Sequence, residues 1–350
     1  MSIYEVIAFI SLLLALPKDK IRNSRALAYI SIGTLIVIAA IRGLSVGTDT
    51  YSYCEDFKSA NTVFYGRTSS SEPLFALYTF LCKQYLNYDW YMFITYGLIV
   101  CLFLWVAYKK STIFPLSIFL FVACEFYLSS FNGMRQYLAA AFIFLSLYYL
   151  DNKSKWDTII FFILAFAAFL IHNTSLVVLL LFILRKYESS VLLQFSLVIG
   201  SFIVGFFLSE WFWVHFQSLI PDAGRLGVYL EYTGGSRNLV SNLGANIMFL
   251  AVMYLSDKKT QSSIFYKAYF VSMIVFNLVG GMYLLTRLTD NLAVAQIVII
   301  PMVLRQTKND LFKYGFLALL LVYALSRFYI KGLSNPDILP YVVRPEIFGL

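Results

Sequence analysis

The sequence predicts an all-α polytopic membrane protein with about twelve transmembrane helices, and three observations carry that expectation. Hydrophobic residues make up 60% of the chain and charged residues 13%, with a mean hydropathy of +0.75. Ordinary globular domains are roughly 45–50% apolar and about 25% charged, so a soluble fold has no way to hide this much apolar surface. The apolar residues also come in long continuous runs, not the short alternating segments of a membrane barrel. Finally, the loops between runs have two alternating characters, one short and lysine-rich, the other arginine-bearing.

Taken in order, the runs cover 3–16, 26–41, 90–108, 113–128, 134–150, 157–171, 174–184, 190–208, 243–256, 264–285, 291–304 and 314–330. The first has no basic segment before it and no small-residue cleavage site after it, so it is expected as a retained span, not a signal peptide. Several runs, 174–184 above all, fall short of the roughly 20 residues of a straight crossing. "PKDKIRNSR", "KKS", "DNKSK", "RKYESS", "SDKKTQSS" and "RQTKNDLFK" collect lysine, as cytoplasmic loops do. Twelve spans put all six on one side and both termini on the other, extracytoplasmic side. The larger segments there are about 43–89 and 209–242, joined by the tail 331–350. No linker or internal repeat divides the chain, which reads as a single transmembrane domain over 1–350.

The two sides differ in which cation they use. The inner side holds twelve Lys and four Arg, the outer side eight Arg and three Lys. Topology needs only positive charge, so the choice of Arg points to planar, bidentate recognition of phosphate or carboxylate, with snorkelling to lipid headgroups as the plainer alternative. Cys101 and Cys124 sit in apolar runs as small hydrophobes. Cys54 and Cys82 fall on the outer side, where an oxidising compartment would permit a disulfide.

Candidate functional residues follow from that asymmetry. In "IRGLSVGTDTYSY", Arg42 closes the second span, Gly43 and Gly47 allow turns, and Asp49 or Thr50 offers a side-chain cap to a short helix. An Arg42–Asp49 structural pair would explain the same residues. In "FNGMRQYLAAAF", Arg135 and Gln136 occupy the first turn of a helix, where a cation opposes the dipole unless an anion sits there too. His172, in "IHNTS", lies at the same level, and its near-neutral reference pKa suits proton transfer. Arg287 and Asp290, three residues apart, are expected to pair or to meet a ligand. The segment 222–242, with Arg225 and Arg237 among four glycines, has the character of a lid. Tyr51 and the other outer tyrosines suit sugar contact. Nucleotide-binding, zinc-protease and hydrolase-elbow motifs are missing, as is any D-x-D pair, so no metal and no nucleotide cofactor is expected. Mid-span charges of the kind ion-coupled transporters use are also missing, Glu125 coming nearest.

Three motifs, "RGLSVGTDTYSY", "FNGMRQYLAAAF" and "IHNTS", together with the ending "NPDILPYVV", resemble the bacterial O-antigen and exopolysaccharide polymerases of the Wzy type, in particular the EpsG-like branch. The resemblance implies a glycosyltransferase C-like (GT-C) architecture in the bacterial inner membrane with periplasmic termini. It also implies a reaction: transfer of a growing glycan from undecaprenyl pyrophosphate to a lipid-linked repeat unit on the periplasmic face. Donor and acceptor glycolipids, the bilayer and a chain-length regulator membrane protein would be the partners, and nucleic acid would not. Arg42, Arg135 and Arg287 would hold the pyrophosphate, with Gln136, Arg237 and Tyr51 near the substrate, and either Asp49 or His172 would be the base. A flippase of lipid-linked oligosaccharide, a glycan ligase and a membrane acyltransferase are the rival readings.

Overall fold

The computed structural model describes residues 2–15, 25–63, 72–152, 154–219, 239–279, 283–333 and 337–345. Within them the chain is helical, with one isolated antiparallel bridge between Arg42 and Val343. The helices are α1 (Ile3–Ala15), α2 (Arg25–Ile41), α3 (Thr50–Ser59), α4 (Pro73–Tyr85), α5 (Tyr88–Lys110), α6 (Phe114–Ala123), α7 (Phe126–Ser129), α8 (Met134–Asn152) and α9 (Lys155–Ile171). A 3-10 turn (Asn173–Val178) leads into α10 (Leu179–Leu184). There follow α11 (Val191–Leu219), α12 (Leu239–Leu255), α13 (Lys258–Ser262), α14 (Ile264–Val279), α15 (Tyr283–Ala293), α16 (Gln296–Gln306) and α17 (Asp310–Arg327).

The apolar runs all appear as helices, but not all as single ones. Two helices, Tyr88–Lys110 and Asp310–Ile330, are long and apolar enough to cross a membrane by length and composition alone, and most of the other apolar helices are shorter. The run 113–128 is broken because Glu125 takes a left-handed conformation, φ 72°, between α6 and α7. The run 264–285 is described as α14 up to Val279, and "YLLTRLTDNLA" forms helix α15. That helix is stable despite its polar sequence because Thr289, Asn291 and Leu292 are buried on it. The segment 43–89, expected as a loop, contains α3 and α4, and α11 extends to Leu219, well into the segment expected to begin at 209.

Helix α6 is the axis of the bundle. All ten of its residues are buried, and α1, α2, α5, α16 and α17 pack around it. A helix that is apolar on every side needs that setting. Outside, Phe162, Ile163, Phe166, Ile183, Leu192 and Phe207 stand exposed on α9, α10 and α11. A belt of large apolar side chains facing outward is what a lipid-facing surface requires and what a soluble surface avoids. Inside the bundle the amides of Asn246 and Asn277 exchange two hydrogen bonds of 2.8 Å between α12 and α14. Gly205 on α11 lies against the carbonyl of Asn277, so close that any side chain there would collide.

Polar contacts sort to two ends of the bundle. At the lysine-rich end, Lys110 pairs with Asp151 at 2.7 Å, and Lys267 donates to the carbonyls of Leu184 and Arg185, capping α10. At the other end, the C-terminal segment straps onto the exit of α2. Gly43 N donates to Val342 O (2.6 Å), Arg344 N to Ile41 O (3.0 Å) and Gly47 N to Asp337 O (2.5 Å). The start of α1 reaches the same end, where Tyr329 donates to Glu5 at 2.9 Å. Both ends of the described chain therefore lie together, on the arginine-bearing side.

Candidate functional site

Arg42 follows the last residue of α2 and turns inward. It is 0% exposed. Its guanidinium carbon stands 4.5 and 4.4 Å from the ring centroids of Tyr96 and Phe131, two rings that meet edge to face. Its N–H groups donate to Ala39 O (2.6 Å), Val46 O (3.2 Å), Thr50 Oγ1 (3.3 Å) and Phe131 O (3.5 Å). Arg42, expected to hold substrate, has its donors engaged by its own chain and organises the turn 43–50. Gly47 completes that turn at φ +95°, where an added Cβ would meet Thr50 Oγ1 at 2.9 Å. Thr50 Oγ1 closes the first turn by donating to Val46 O at 2.7 Å.

Asp49 stands at the N-cap position of α3 but makes no side-chain capping bond, so the expected cap is not formed. The half-buried residue instead places its carboxylate close enough to Tyr53 to act on it electrostatically. Tyr51, two residues away, points outward and is 60% exposed, whereas Tyr53 is buried beneath Arg135. Burial raises the pKa of the Tyr53 phenol, with Arg135 opposing, so at neutral pH it remains a hydroxyl. The disulfide is not formed: all four cysteines are free.

The group that assembles at this end is Arg135, His172 and a residue the sequence reading did not single out, Glu72. Helix α4 begins at Pro73, and Glu72 precedes it as the N-cap residue. Because α4 packs on α3 and α9, its start is carried to the C-terminal end of α9, where His172 leaves the helix in an extended conformation. One oxygen of Glu72 accepts from Arg135 Nη1 at 2.7 Å, and the other accepts from His172 Nδ1 in a very short contact. Glu72 is 8% exposed, His172 14% and Arg135 25%, so the cluster opens outward from the carboxylate. Arg135 also sits above Tyr53 and Phe75, with ring centroids at 5.9 and 5.8 Å.

The anion expected at the N-terminus of α8 is thus supplied by the protein itself, and it explains why Arg135 is tolerated in that first turn. Gln136, 4% exposed, folds back under Gly133. The signal for Glu72 was available in "SSSEPLF": a carboxylate directly before a helix-starting proline, on the outer side.

Behind His172 the 3-10 turn "NTSLVV" packs against α15. Asn291 Nδ2 donates to Thr174 Oγ1 at 3.1 Å. Among the described residues three buried side-chain atoms in this region have no hydrogen-bond partner: His172 Nε2, Ser175 Oγ and Asn291 Oδ1. Arg287 lies one turn before Asn291 on α15, its side chain outside the described residues, while Asp290 lies near Arg327 and Tyr137. Arg225 and Arg237, with the segment expected as a lid, fall outside the described residues. Among the described residues no cluster of His, Cys, Asp and Glu suits a metal ion. A second carboxylate–guanidinium pair, Glu125 with Arg327 at 3.0 Å, lies at the break between α6 and α7.

These features define an all-helical protein of membrane character with a buried carboxylate, imidazole and guanidinium gathered at one end of its bundle. The chain belongs to the EpsG family, whose model matches residues 25–343. That membership ties it to polysaccharide biosynthesis. No curated protein and no solved structure matches it.

Proposed function

We propose that the protein is a membrane glycosyltransferase that polymerises lipid-linked oligosaccharide repeat units on the periplasmic face of the bacterial inner membrane. The observation that carries this reading is the Arg135–Glu72–His172 relay. Glu72 accepts the Nδ1 proton of His172, which leaves Nε2 of the imidazole as the proton acceptor, and among the described residues no hydrogen-bond partner holds it. Of the two candidate bases, His172 is the one this reading takes, because the Glu72 carboxylate orients it.

In the reaction, the hydroxyl oxygen of the acceptor sugar attacks the anomeric carbon of the donor glycan. The bond from that carbon to the pyrophosphate oxygen breaks, and undecaprenyl pyrophosphate leaves with the electron pair. The hydroxyl proton passes to His172 Nε2, and Glu72 stabilises the resulting imidazolium. Arg135, partly exposed, bound to Glu72 through one nitrogen and hydrogen-bonded to Tyr53, turns its remaining donors to the pyrophosphate as its charge develops. Arg287 and Arg237 are further pyrophosphate ligands in this reading. The lysine-rich end faces the cytoplasm, both termini are periplasmic, and the bundle is of the GT-C type with about twelve crossings. A chain-length regulator is the expected protein partner.

The test is complementation of a strain lacking the gene. The deletion should carry single repeat units at its surface, wild type should restore a ladder, and His172→Ala, Glu72→Gln and Arg135→Ala should not, at equal membrane levels. A deletion in which no repeat unit reaches the outer face would replace polymerisation with the flippase reading.

A further inference from the structure

The unpartnered atoms behind His172 have a chemistry of their own. Ser175 and Asn291 are both 0% exposed. Buried polar side-chain atoms are nearly always hydrogen-bonded, because leaving one unpaired forfeits its hydration without a replacement. Two such atoms beside a histidine whose Nε2 is equally unpartnered make three within one small region. They are linked through the backbone and side chains: Ser175 N donates to His172 O at 3.1 Å, and Asn291 Nδ2 is held by Thr174 Oγ1.

The polarity of the three is informative. Because the Asn291 amide nitrogen is engaged by Thr174, its free atom is the carbonyl oxygen Oδ1, an acceptor only. Because His172 Nδ1 faces a carboxylate, the free Nε2 of the neutral ring is also an acceptor. Ser175 Oγ can serve as either donor or acceptor. A ligand complementary to this set must bring hydrogen-bond donors. Phosphate and pyrophosphate bring acceptors and would be repelled by it, whereas neighbouring sugar hydroxyls match it.

We propose that Ser175, Asn291 and His172 Nε2 form a hydroxyl-binding subsite that seats the acceptor sugar, apart from the Arg135 side that takes the anion. For the acceptor's identity the proposal rests on the polymerase reading. In this arrangement one hydroxyl is held at His172 Nε2, where it loses its proton, and a neighbouring hydroxyl is fixed by Asn291 Oδ1 and Ser175 Oγ. Ser175 and Asn291 therefore act on which hydroxyl of the sugar reaches the base. The exposed edge formed by His172 and Arg135 is the way in.

The experiment uses the purified full-length protein in lipid nanodiscs and two probes. One is the lipid-linked repeat unit extracted from the deletion strain, and the other is undecaprenyl pyrophosphate without sugar. Ser175→Ala and Asn291→Ala should each weaken repeat-unit binding about tenfold, as loss of one hydrogen bond in a desolvated site does, and leave the sugar-free lipid unchanged. Arg135→Ala should weaken both. If the two variants affect both probes equally, or neither, the subsite is wrong and the residues are structural. Should Asn291→Ala lower the melting temperature, Ser175→Ala, which removes a single oxygen, decides the matter. Ladder formation from the same repeat unit separates the two claims. A wild type that binds the glycan selectively but builds no ladder ends the polymerase reading and leaves the subsite. A ladder with unchanged glycan affinity in both variants does the reverse.

Discussion

Arg42 and Arg135 stand at the same end of the helix bundle, each beside aromatic rings, and they are held in opposite ways. Arg42 is fully buried: two rings lie against it and four oxygens take its protons. Arg135 has one carboxylate partner, more distant rings and a quarter of its side chain open. The first arrangement uses up a guanidinium's capacity for hydrogen bonds and so builds structure. The second leaves part of that capacity for a ligand. Residue type and membrane level are therefore insufficient to identify a functional arginine; the number of donors still unengaged separates the two.

The largest expected effect is on Arg42. Arg42→Ala would leave the carbonyls of Ala39 and Phe131 without this donor in a dry pocket, and a destabilisation of about 3–5 kcal/mol is expected. The variant should be depleted from membranes, and Arg42→Lys should not rescue it, because a single ammonium cannot reach the four oxygens that the guanidinium fork bonds. A well-expressed but inactive Arg42→Ala would break the comparison.

His172→Ala and Glu72→Gln come next. Each is expected to lower the polymerisation rate about 10²–10⁴-fold, the usual contribution of a positioned base, with melting temperature near wild type. Because the two act as one unit, the double variant should be little worse than either single one. Additive losses would separate Glu72 from His172.

Gly47→Ala tests the wall of the Arg42 pocket. A side chain at φ +95° that also presses on Thr50 and Asn132 is expected to cost about 1–3 kcal/mol, visible as a lower melting temperature with unchanged rate per folded molecule. Tyr51→Ala, on the exposed side of α3, should change stability by no more than about 0.5 kcal/mol. A loss of activity there would show that the outer face of α3 takes part after all.

The sequence made the bundle legible because apolar length and the lysine–arginine asymmetry are local properties of each segment. It was less informative at the interruptions. The break at Glu125 and the polar helix α15 depend on what neighbouring helices bury, not on the hydropathy of their own residues. His172 and Arg135 were legible as candidates, since a histidine and an arginine at the ends of apolar runs stand out. Glu72 showed only as a carboxylate before a helix-starting proline, and its pairing with His172, 100 residues along the chain, depends on α4 docking against α9.

By itself, then, the sequence determined the class of fold, the division of the chain into apolar helices with two kinds of connection, and the end at which polar chemistry gathers. Those follow from the cost of placing charge and unpaired backbone in an apolar medium, which every segment meets on its own. Only the tertiary structure decided which arginine is sealed and which is open, and which carboxylate orients the histidine. Hydrogen-bond saturation depends on groups far apart in the chain, and folding alone brings them together.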